Sequence, residues 1–590
     1  MSNAGRMPDS PAAPAPTAAP AETPTVPETR LESLQTRYGR YAWWLALAGV
    51  VLLGGGTFMS WSYVSTILDD LSVYAYPGTV QLFALVLAVL ALVFLLMYKG
   101  PLHRLGDWLT SAHAVRALGI GSLVFMTFTL LLIAAQSGGL INVDPGGWVS
   151  WVGSLLLAAG GQLLKVRAIN DPLKARLPGW VEILVIVLLL ALALFGSAFA
   201  LGIEDGSVFM LFFVALGTGI WALAACNFFT WIGILAAKHR QVLTLGAFVV
   251  AFLFPFTQGG SDANMSIATQ VIIFAATALG LNIVVGLAGL LDLGYIAFLG
   301  AGAYTAAVLS DSAFATIGWK PPFIVVVLLG ACVSATLGLI IGTPTLRVSG
   351  DYLAIVTLAF GEIFRLTMGN LDGSNGPDLT NGPNGIPAIP DLVIFGWDFG
   401  ESHTVAGITL GRFANYYFLL LVLVAFVITV FVRLNNSRIG RGWVAIREDE
   451  KAAEAMGVNV FGLKLFAFAS GAFLAGMAGT VKAHQDVSVT PDQFIFLNSA
   501  FLLAAIVLGG MGTVAGVLIG SAILQVLPEK LRFISDYRLL IFGLLLVIMM
   551  RFRPEGIVAS QRRKLEFHEE DEQLAARIEE IHLEEEEVTA

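Results

Sequence analysis

The chain has 590 residues, of which 57% are apolar and 13% are charged, whereas a soluble globular protein is about 45–50% apolar and about 25% charged. So few charges exclude a soluble multidomain enzyme, a nucleic-acid-binding protein and a disordered scaffold. Most of the net charge of −9 lies in one segment, because residues 556–590 hold 11 acidic and 4 basic residues. The composition therefore predicts a polytopic membrane protein with an acidic tail.

The N-terminal segment differs in composition from the rest of the chain. Seven prolines lie within its first 29 residues. Such a segment cannot bury enough apolar surface to offset the loss of chain entropy, so we expect residues 1–36 to be disordered. It has no basic region followed directly by a short apolar region, so it does not resemble a cleaved signal peptide.

Apolar runs of about 20 residues, the length that crosses a bilayer core as a helix, recur from residue 41 onward. They predict an all-α bundle of about sixteen transmembrane helices. The predicted spans are 41–59, 79–97, 117–135, 147–164, 180–203, 208–237, 243–257, 266–290, 293–310, 322–343, 351–368, 415–432, 463–482, 494–508, 513–527 and 538–550.

Loop charges predict the orientation, because short cytoplasmic loops retain Lys and Arg. Through the first seven spans, the loops of one side carry all the bases: Lys99, Arg104, Arg116, Lys165, Arg167, Lys174, Arg176, Lys238 and Arg240. The loops of the other side carry only acids: Asp69, Asp70, Asp144, Glu204, Asp205 and Asp262. Both termini are therefore predicted to be cytoplasmic. One loop, 528–537, disagrees, since it carries Lys530 and Arg532 on the predicted outer side.

The sequence contains no catalytic or metal-binding pattern. No Gly-Lys dipeptide occurs, so the chain lacks a Walker A phosphate-binding loop. His568-Glu569 is not completed to H-E-x-x-H. Cys226 and Cys332 lie in apolar runs and are interpreted as buried packing residues. We therefore expect neither an enzyme nor a bound metal.

A polar segment at 437–466, SRIGRGWVAIREDEKAAEAMGVNVFGLKLF, interrupts the apolar pattern on the predicted cytoplasmic side. We refer to it as the coupling segment. Its A-A-x-x-x-G spacing at Ala452, Ala453 and Gly457 is the central part of the signature with which permeases of ABC importers contact their ATPases. We expect Gly457 to be small because a partner surface approaches it closely. On this spacing alone, an ordinary amphipathic connector fits equally well.

Further motifs resolve that choice. They are GLAGLLDLGYIAFLGAGAYTAAVLS at 286–310, GDYLAIVTLAFGEIFRL at 350–366, NGPNGI at 381–386 and LLAAIVLGGMGTVAGVLIGSAIL at 502–524. Together with the coupling segment, they strongly resemble branched-chain amino acid ABC transporter permeases of the LivM type. The resemblance covers 243–558 and leaves an N-terminal extension at 37–242 and an acidic tail at 559–590. One motif departs from the general importer pattern, because residues 467–470 read AFAS in place of I-x-L-P.

The resemblance implies a type II importer-like permease core in a bacterial inner membrane. It implies a LivH-like second permease, two ABC ATPase subunits, a periplasmic substrate-binding protein and a small amino acid substrate in a lipid bilayer. Nucleic acid has no role. No cofactor is expected on this chain, since ATP and Mg would be bound and hydrolysed by the ATPase subunits. The ATPase-coupling loop would comprise Arg441, Arg447, Glu448, Glu450, Ala452, Ala453 and Gly457.

Polar residues and glycines in the core are candidates for the translocation path. The polar candidates are Asn282, Asp292, Tyr295, Thr357 and Glu362. Glu362 has a simpler explanation, pairing with Arg365 one helical turn away, and Asp292 has one as a solvated turn. The pathway glycines are Gly294, Gly300, Gly302, Gly509, Gly510 and Gly512. Glycine-broken apolar segments mark transport pathways, but small residues equally allow close helix packing.

Two other functions remain possible at this point. A permease for urea or short amides would resemble this sequence closely, because selectivity lies largely with the binding protein. An ion-coupled secondary transporter is disfavoured, because it would need several paired carboxylates within the membrane and no long docking segment. In the tail, Leu574, Ile578 and Ile581 follow the spacing of a helical face, which could rest on an ATPase or simply be solvated.

Overall fold

The computed structural model describes residues 30–103, 109–166, 178–312, 317–345, 351–374, 377–405, 407–532, 537–552 and 555–558. The N-terminal residues 1–29 and the acidic tail lie outside the described residues. The tail helix, Arg104, Arg167, Lys174 and Arg176 lie outside them as well.

The described part of the chain is almost entirely α-helical, which confirms the predicted fold class. Its helices in the first half are α1 (Arg30–Gly56), α2 (Thr79–Tyr98), α3 (Ser111–Ser137), α4 (Pro145–Leu163), α5 (Gly179–Gly202), α6 (Gly206–Ala225), α7 (Phe228–Lys238), α8 (Arg240–Leu253) and α9 (Asp262–Asn282). Those that follow are α10 (Ile296–Leu309), α11 (Phe323–Thr345), α12 (Asp351–Asn370), α13 (Arg412–Asn435), α14 (Arg438–Glu448), α15 (Glu450–Ala455), α16 (Val460–Asp486), α17 (Phe496–Gly509), α18 (Val514–Lys530) and α19 (Arg538–Phe552).

Eleven helical segments of the described residues are long and apolar enough to cross a membrane. The predicted number of about sixteen is not confirmed. Some predicted spans are shorter helices, such as α10 with 14 residues and α19 with 15. The predicted span 208–237 is two helices, α6 and α7, separated at Asn227, whose φ is +64°. Hydropathy alone does not detect such a break.

The described residues within Met1–Ala175 and Phe213–Ile232 form one compact unit. In it, α1 and α4 pack through small residues: a Cβ added at Gly49 would overlap the backbone of Leu157, and one at Gly160 would lie 2.5 Å from Ala46 N. Glycines of this kind let helix backbones approach closely in a membrane. Arg116 donates to Leu164 O at 2.5 Å, at the C-terminal end of α4, and so satisfies a carbonyl that the helix leaves free.

The described residues within Arg176–Phe212 and Gly233–Ala590 form the second unit. Its core surrounds α16, which packs against α9, α10 and α11. Four short strands lie between α12 and α13, in two antiparallel pairs: β1 (Val393–Ile394) with β2 (Trp397–Asp398), and β3 (His403–Val405) with β4 (Ile408–Leu410). These strands have no counterpart among the predicted elements.

The two cysteines differ in burial. Cys226 is buried, as expected, but Cys332 on α11 is exposed. The expectation for Cys332 was wrong because an apolar run indicates only that the residue avoids water. A residue in a membrane span can do so by facing lipid as well as by packing inside the protein.

Candidate coupling and translocation sites

The coupling segment folds as α14, α15 and the first turns of α16. Each short helix begins at a residue whose side chain caps it. Ser437 Oγ accepts from the backbone N–H groups of Ile439 and Gly440 at 3.1 and 3.2 Å. Asp449 Oδ1 accepts from those of Lys451 and Ala452 at 2.9 Å each. The caps let two short helices follow one another in a segment too polar to form a span.

The inner side of α14 is anchored in the second unit. Trp443 is fully buried, and its Nε1–H donates to Leu463 O at 2.7 Å. Arg447 Nη1 donates to Gly286 O at 2.9 Å. A Cβ at Gly289 would lie 2.5 Å from Arg447 Cγ, so the arginine stem packs directly on the backbone there. The coupling segment therefore contacts the region that joins α9 to α10.

The outer side of the segment is open to solvent. Of the residues implied by the resemblance, Arg441, Glu448, Glu450, Ala452 and Gly457 are exposed, Arg447 is half-buried and Ala453 is buried. Met456, which the sequence analysis did not single out, is 84% exposed. Its signal in the sequence is its place within A-A-x-x-x-G, four residues after Ala452. Glu450 is held by Lys464 at 2.6 Å.

Gly457 has a conformational reason for being glycine. Its φ is +83° and a Cβ there would contact nothing within 4 Å. Gly457 N donates to Glu454 O at 2.9 Å and Val458 N donates to Ala453 O at 3.0 Å, which closes α15 with a left-handed glycine cap. The open space leaves room for a partner, but the backbone alone requires this residue.

Between α9 and α10, residues Ile283–Leu287 form a π-turn, an element that is frequent at functional sites. Ahead of it, Asn282 is fully buried. Its Oδ1 accepts from Gly512 N at 2.9 Å and its Nδ2 donates to Thr513 O at 3.4 Å. A Cβ at Gly286 would overlap Asn282 Oδ1. Asn282 therefore links the π-turn to the turn between α17 and α18.

Asp292 follows the π-turn, between the span Asp262–Leu287 and α10. It is 1% exposed, so its interpretation as a solvated turn was wrong. The residue that follows it packs against α12, where Leu293 N donates to Thr357 Oγ1 at 3.1 Å. Its Oδ1 accepts from Gly294 N at 2.9 Å, while Oδ2 has no hydrogen-bond partner among the described residues. Burial raises the pKa of Asp292 to about 7, although the Gly294 N–H opposes the shift.

Two other polar candidates are engaged in packing contacts. Tyr295 is fully buried and donates to Gly471 O at 2.6 Å. Thr357 is buried, accepts from Leu293 N at 3.1 Å and donates to Ala354 O at 3.0 Å. The Tyr295 hydroxyl therefore joins the start of α10 to α16, and the Thr357 hydroxyl joins α12 to the residues that precede α10.

Glu362 is placed differently from these buried candidates. Arg365 Nε donates to Glu362 Oε2 at 2.9 Å, which confirms the expected i,i+3 pair. Arg365 Nη1 also donates to Asp492 Oδ1 at 3.4 Å. The side chains of Glu362 and Arg365 are 35% and 28% exposed.

The predicted pathway glycines lie where backbones meet closely. A Cβ at Gly294 would overlap Thr357 O, one at Gly302 would overlap Gly476 O, and one at Gly509 would overlap Gly516 O. At Gly300 it would lie 2.6 Å from the Phe364 ring. Of the two remaining glycines, Gly510 resembles these, since a Cβ there would overlap Val558 O. Gly512 differs: its φ is +78°, and a Cβ there would lie 3.6 Å from Gly286 O, an ordinary contact. Close packing accounts for five of the six positions, and a left-handed backbone accounts for Gly512.

Two charged groups have structural partners that sequence reasoning missed, and one of them, Lys530, lies in the loop that disagrees with the charge pattern. Lys530 Nζ donates to Leu201 O at 2.6 Å and Ile203 O at 2.9 Å, at the C-terminal end of α5, where a cation is favourable. The signal was available, because Lys530 is one of the two bases in the loop that contradicts the charge asymmetry. Glu182 in α5 is buried and paired with Lys238 at 2.6 Å.

Comparison with known proteins gives consistent matches. Residues 263–550 match the family described as branched-chain amino acid transport system / permease component. The permease protein LivM of a high-affinity branched-chain amino acid transport system in Salmonella typhimurium is 39% identical over 340 residues, covering 55% of this chain and 76% of the relative. LivM of Escherichia coli is 38% identical with the same coverage. LivH of Salmonella typhimurium is 30% identical over 183 residues, covering 30% of this chain and 58% of the relative. No solved structure gives a significant match.

Proposed function

Because the chain belongs to the family of branched-chain amino acid transport system permease components, as its motifs predicted, we propose that it is an inner-membrane permease subunit of an ATP-driven importer of branched-chain amino acids. Its termini are cytoplasmic, and it forms the translocation path with a LivH-like second permease. Two ATPase subunits bind the coupling segment, and a periplasmic binding protein delivers the amino acid.

The observation that carries this proposal is the arrangement of the coupling segment. One side of it hydrogen-bonds to Gly286 O through Arg447, and the other side exposes Ala452 and Met456. A partner that binds the exposed side can therefore displace the π-turn. Through Asn282, the same displacement reaches the Gly512 turn. These two contacts would transmit movements of the ATPase subunits to the membrane helices.

The orientation rests on these contacts together with loop charge. Four segments lie together at one end of the second unit: residues 282–290, the coupling segment, the turn between α17 and α18 that contains Gly512, and residues 555–558. Arg447 and Asn282 connect the first three. Residues 555–558 join them because Ile557 N and Val558 N donate to the end of α17 at 2.9 Å each. We place that end in the cytoplasm. The capping contact of Lys530 accounts for one of the two bases in the loop that disagrees with this topology, because the lysine has a partner at the C-terminal end of α5.

Reconstitution tests the proposal. The chain is co-purified with its second permease and ATPases, placed in proteoliposomes, and supplied with the binding protein and labelled leucine, valine or urea. We expect ATP-dependent uptake of leucine and valine that requires every component. Uptake of urea with no uptake of leucine would show that urea, and not a branched-chain amino acid, is the substrate. Uptake in the absence of the ATPases would contradict the proposed mechanism.

A further inference from the structure

The helix α12 has two faces of different character. Its packed face, with Thr357, Gly361 and Phe364 buried, lies against α10, where a Cβ at Gly300 would lie 2.6 Å from the Phe364 ring. The opposite face repeats with helical spacing and is exposed or half-exposed. Its members are Tyr352, Ile355, Val356, Ala359, Glu362, Ile363, Leu366, Thr367 and Asn370.

A second exposed helix of the same unit, α5, has an exposed surface of the composition that lipid accepts. Its exposed large side chains are all apolar: Trp180, Ile183, Leu184, Val187, Leu188, Leu192, Phe195 and Phe199. Its carboxylate, Glu182, is buried beside Lys238 Nζ at 2.6 Å and His239 Nε2 at 2.8 Å. On α5 the exposed surface is therefore apolar, and the one charged side chain is turned inward.

The helix α12 does the opposite. Its mean hydropathy is the lowest of the eleven candidate spans of the described residues. It carries Glu362 on its exposed face and Arg365 beside that face. Asn370 ends the helix eight residues after Glu362, so the carboxylate lies roughly 12 Å along the axis from that end. Charges at such depth are costly in lipid and face either protein or a water-filled cavity.

From these contrasts we infer that the exposed face of α12 lines a water-filled path for a small zwitterion, bounded on its other side by the second permease subunit. The inference rests on the proposed function and names the face that performs it. The ion pair of Glu362 and Arg365 is half-exposed, and its further contact within this unit is Asp492 at 3.4 Å, which is itself exposed. Water accounts for the solvation of the rest of the pair. The apolar members Ile363 and Leu366 suit passage of a substrate with an apolar side chain.

Thiol labelling of the complete transporter tests the inference. Single cysteines replace Ala359, Ile363 or Leu366 on α12, and Leu188 or Leu192 on α5 as matched controls. Cys332→Ala removes the exposed native thiol, while the buried Cys226 is kept. A small, charged, membrane-impermeant methanethiosulfonate reagent is added to membranes that contain the assembled transporter.

We expect the α12 cysteines to react at least about tenfold faster than the α5 cysteines, because only the thiolate reacts and apolar surroundings suppress it. Equal, slow labelling of both sets in a transporter that still imports leucine would overturn the inference and leave the proposed function intact. Absence of ATP-dependent leucine uptake in the Cys332→Ala parent and in the unmodified transporter alike would instead overturn the proposed function.

Discussion

One side of the coupling segment packs against the rest of the second unit, and the other side is open to solvent. The two sides differ in chemistry. On the packed side, Trp443 and Arg447 donate to backbone carbonyls at 2.7 and 2.9 Å. On the open side, Met456 is 84% exposed and lies at the end of α15, just before the left-handed Gly457. The packed side transmits force and the open side binds a partner. Substitutions on the packed side should therefore impair uptake or stability, and substitutions on the open side should impair ATPase association.

The largest effect is expected at Gly286, beneath the packed side. In Gly286→Val, the new Cβ would overlap Asn282 Oδ1 and lie 2.7 Å from Gly512 N. Overpacking of this kind costs typically 1–3 kcal/mol and sometimes more. We expect loss of uptake and a lower melting temperature of the purified complex. Gly196→Val on α5 is the control, since a Cβ there meets nothing within 4 Å. Equal behaviour of the two variants would show that the π-turn is not tightly packed.

Asp292 offers a pH test of the same packed region. Its pKa is raised to about 7, so between its ordinary value and about 7 the unfolded chain is ionised while the folded chain keeps the proton. Stability therefore falls as pH rises through this window. From about pH 5.5 to pH 8, wild type should lose about 2 kcal/mol relative to Asp292→Asn. Thermal unfolding of both proteins at the two pH values measures this difference, and parallel curves would contradict it.

On the open side, Met456→Asp should weaken ATPase association without unfolding the chain. An exposed apolar residue that enters a partner's pocket contributes more than about 1 kcal/mol, or roughly fivefold or more in affinity. Co-purification of the ATPases measures the loss. Phe395→Asp is the matched control: Phe395 is 100% exposed in the loop between β1 and β2, on the predicted outer side. Equal ATPase yields from both variants would remove Met456 from the interface.

The smallest effect separates two explanations of Gly457. If the backbone conformation requires glycine, Gly457→Asn should retain more uptake than Gly457→Ala, because asparagine tolerates the left-handed region that costs alanine about 1–2 kcal/mol. If close approach of a partner is the only requirement, the smaller alanine should be tolerated better. The order of the two uptake rates decides between them.

Much of this arrangement could be predicted from sequence, and what could not has physical reasons. Apolar runs predicted the helices, and the i,i+3 spacing predicted the Glu362–Arg365 pair. Local patterns could not show that Arg447 meets Gly286, 161 residues apart in the chain, or that Asn282 meets Gly512, 230 residues apart. The burial of Asp292 was missed for the same reason: hydropathy places it at the end of a span, and only tertiary packing covers it.

The central claim is that ATPase action reaches the membrane helices through the contact of Arg447 with Gly286. The most direct measurement is the number of amino acids imported per ATP hydrolysed by the complete transporter in proteoliposomes, for wild type and Arg447→Met. A hydrogen bond from a charged group is worth about 1.5–3 kcal/mol, so we expect this ratio to fall about tenfold or more while hydrolysis and subunit association persist. An unchanged ratio in a transporter that assembles normally would contradict the claim.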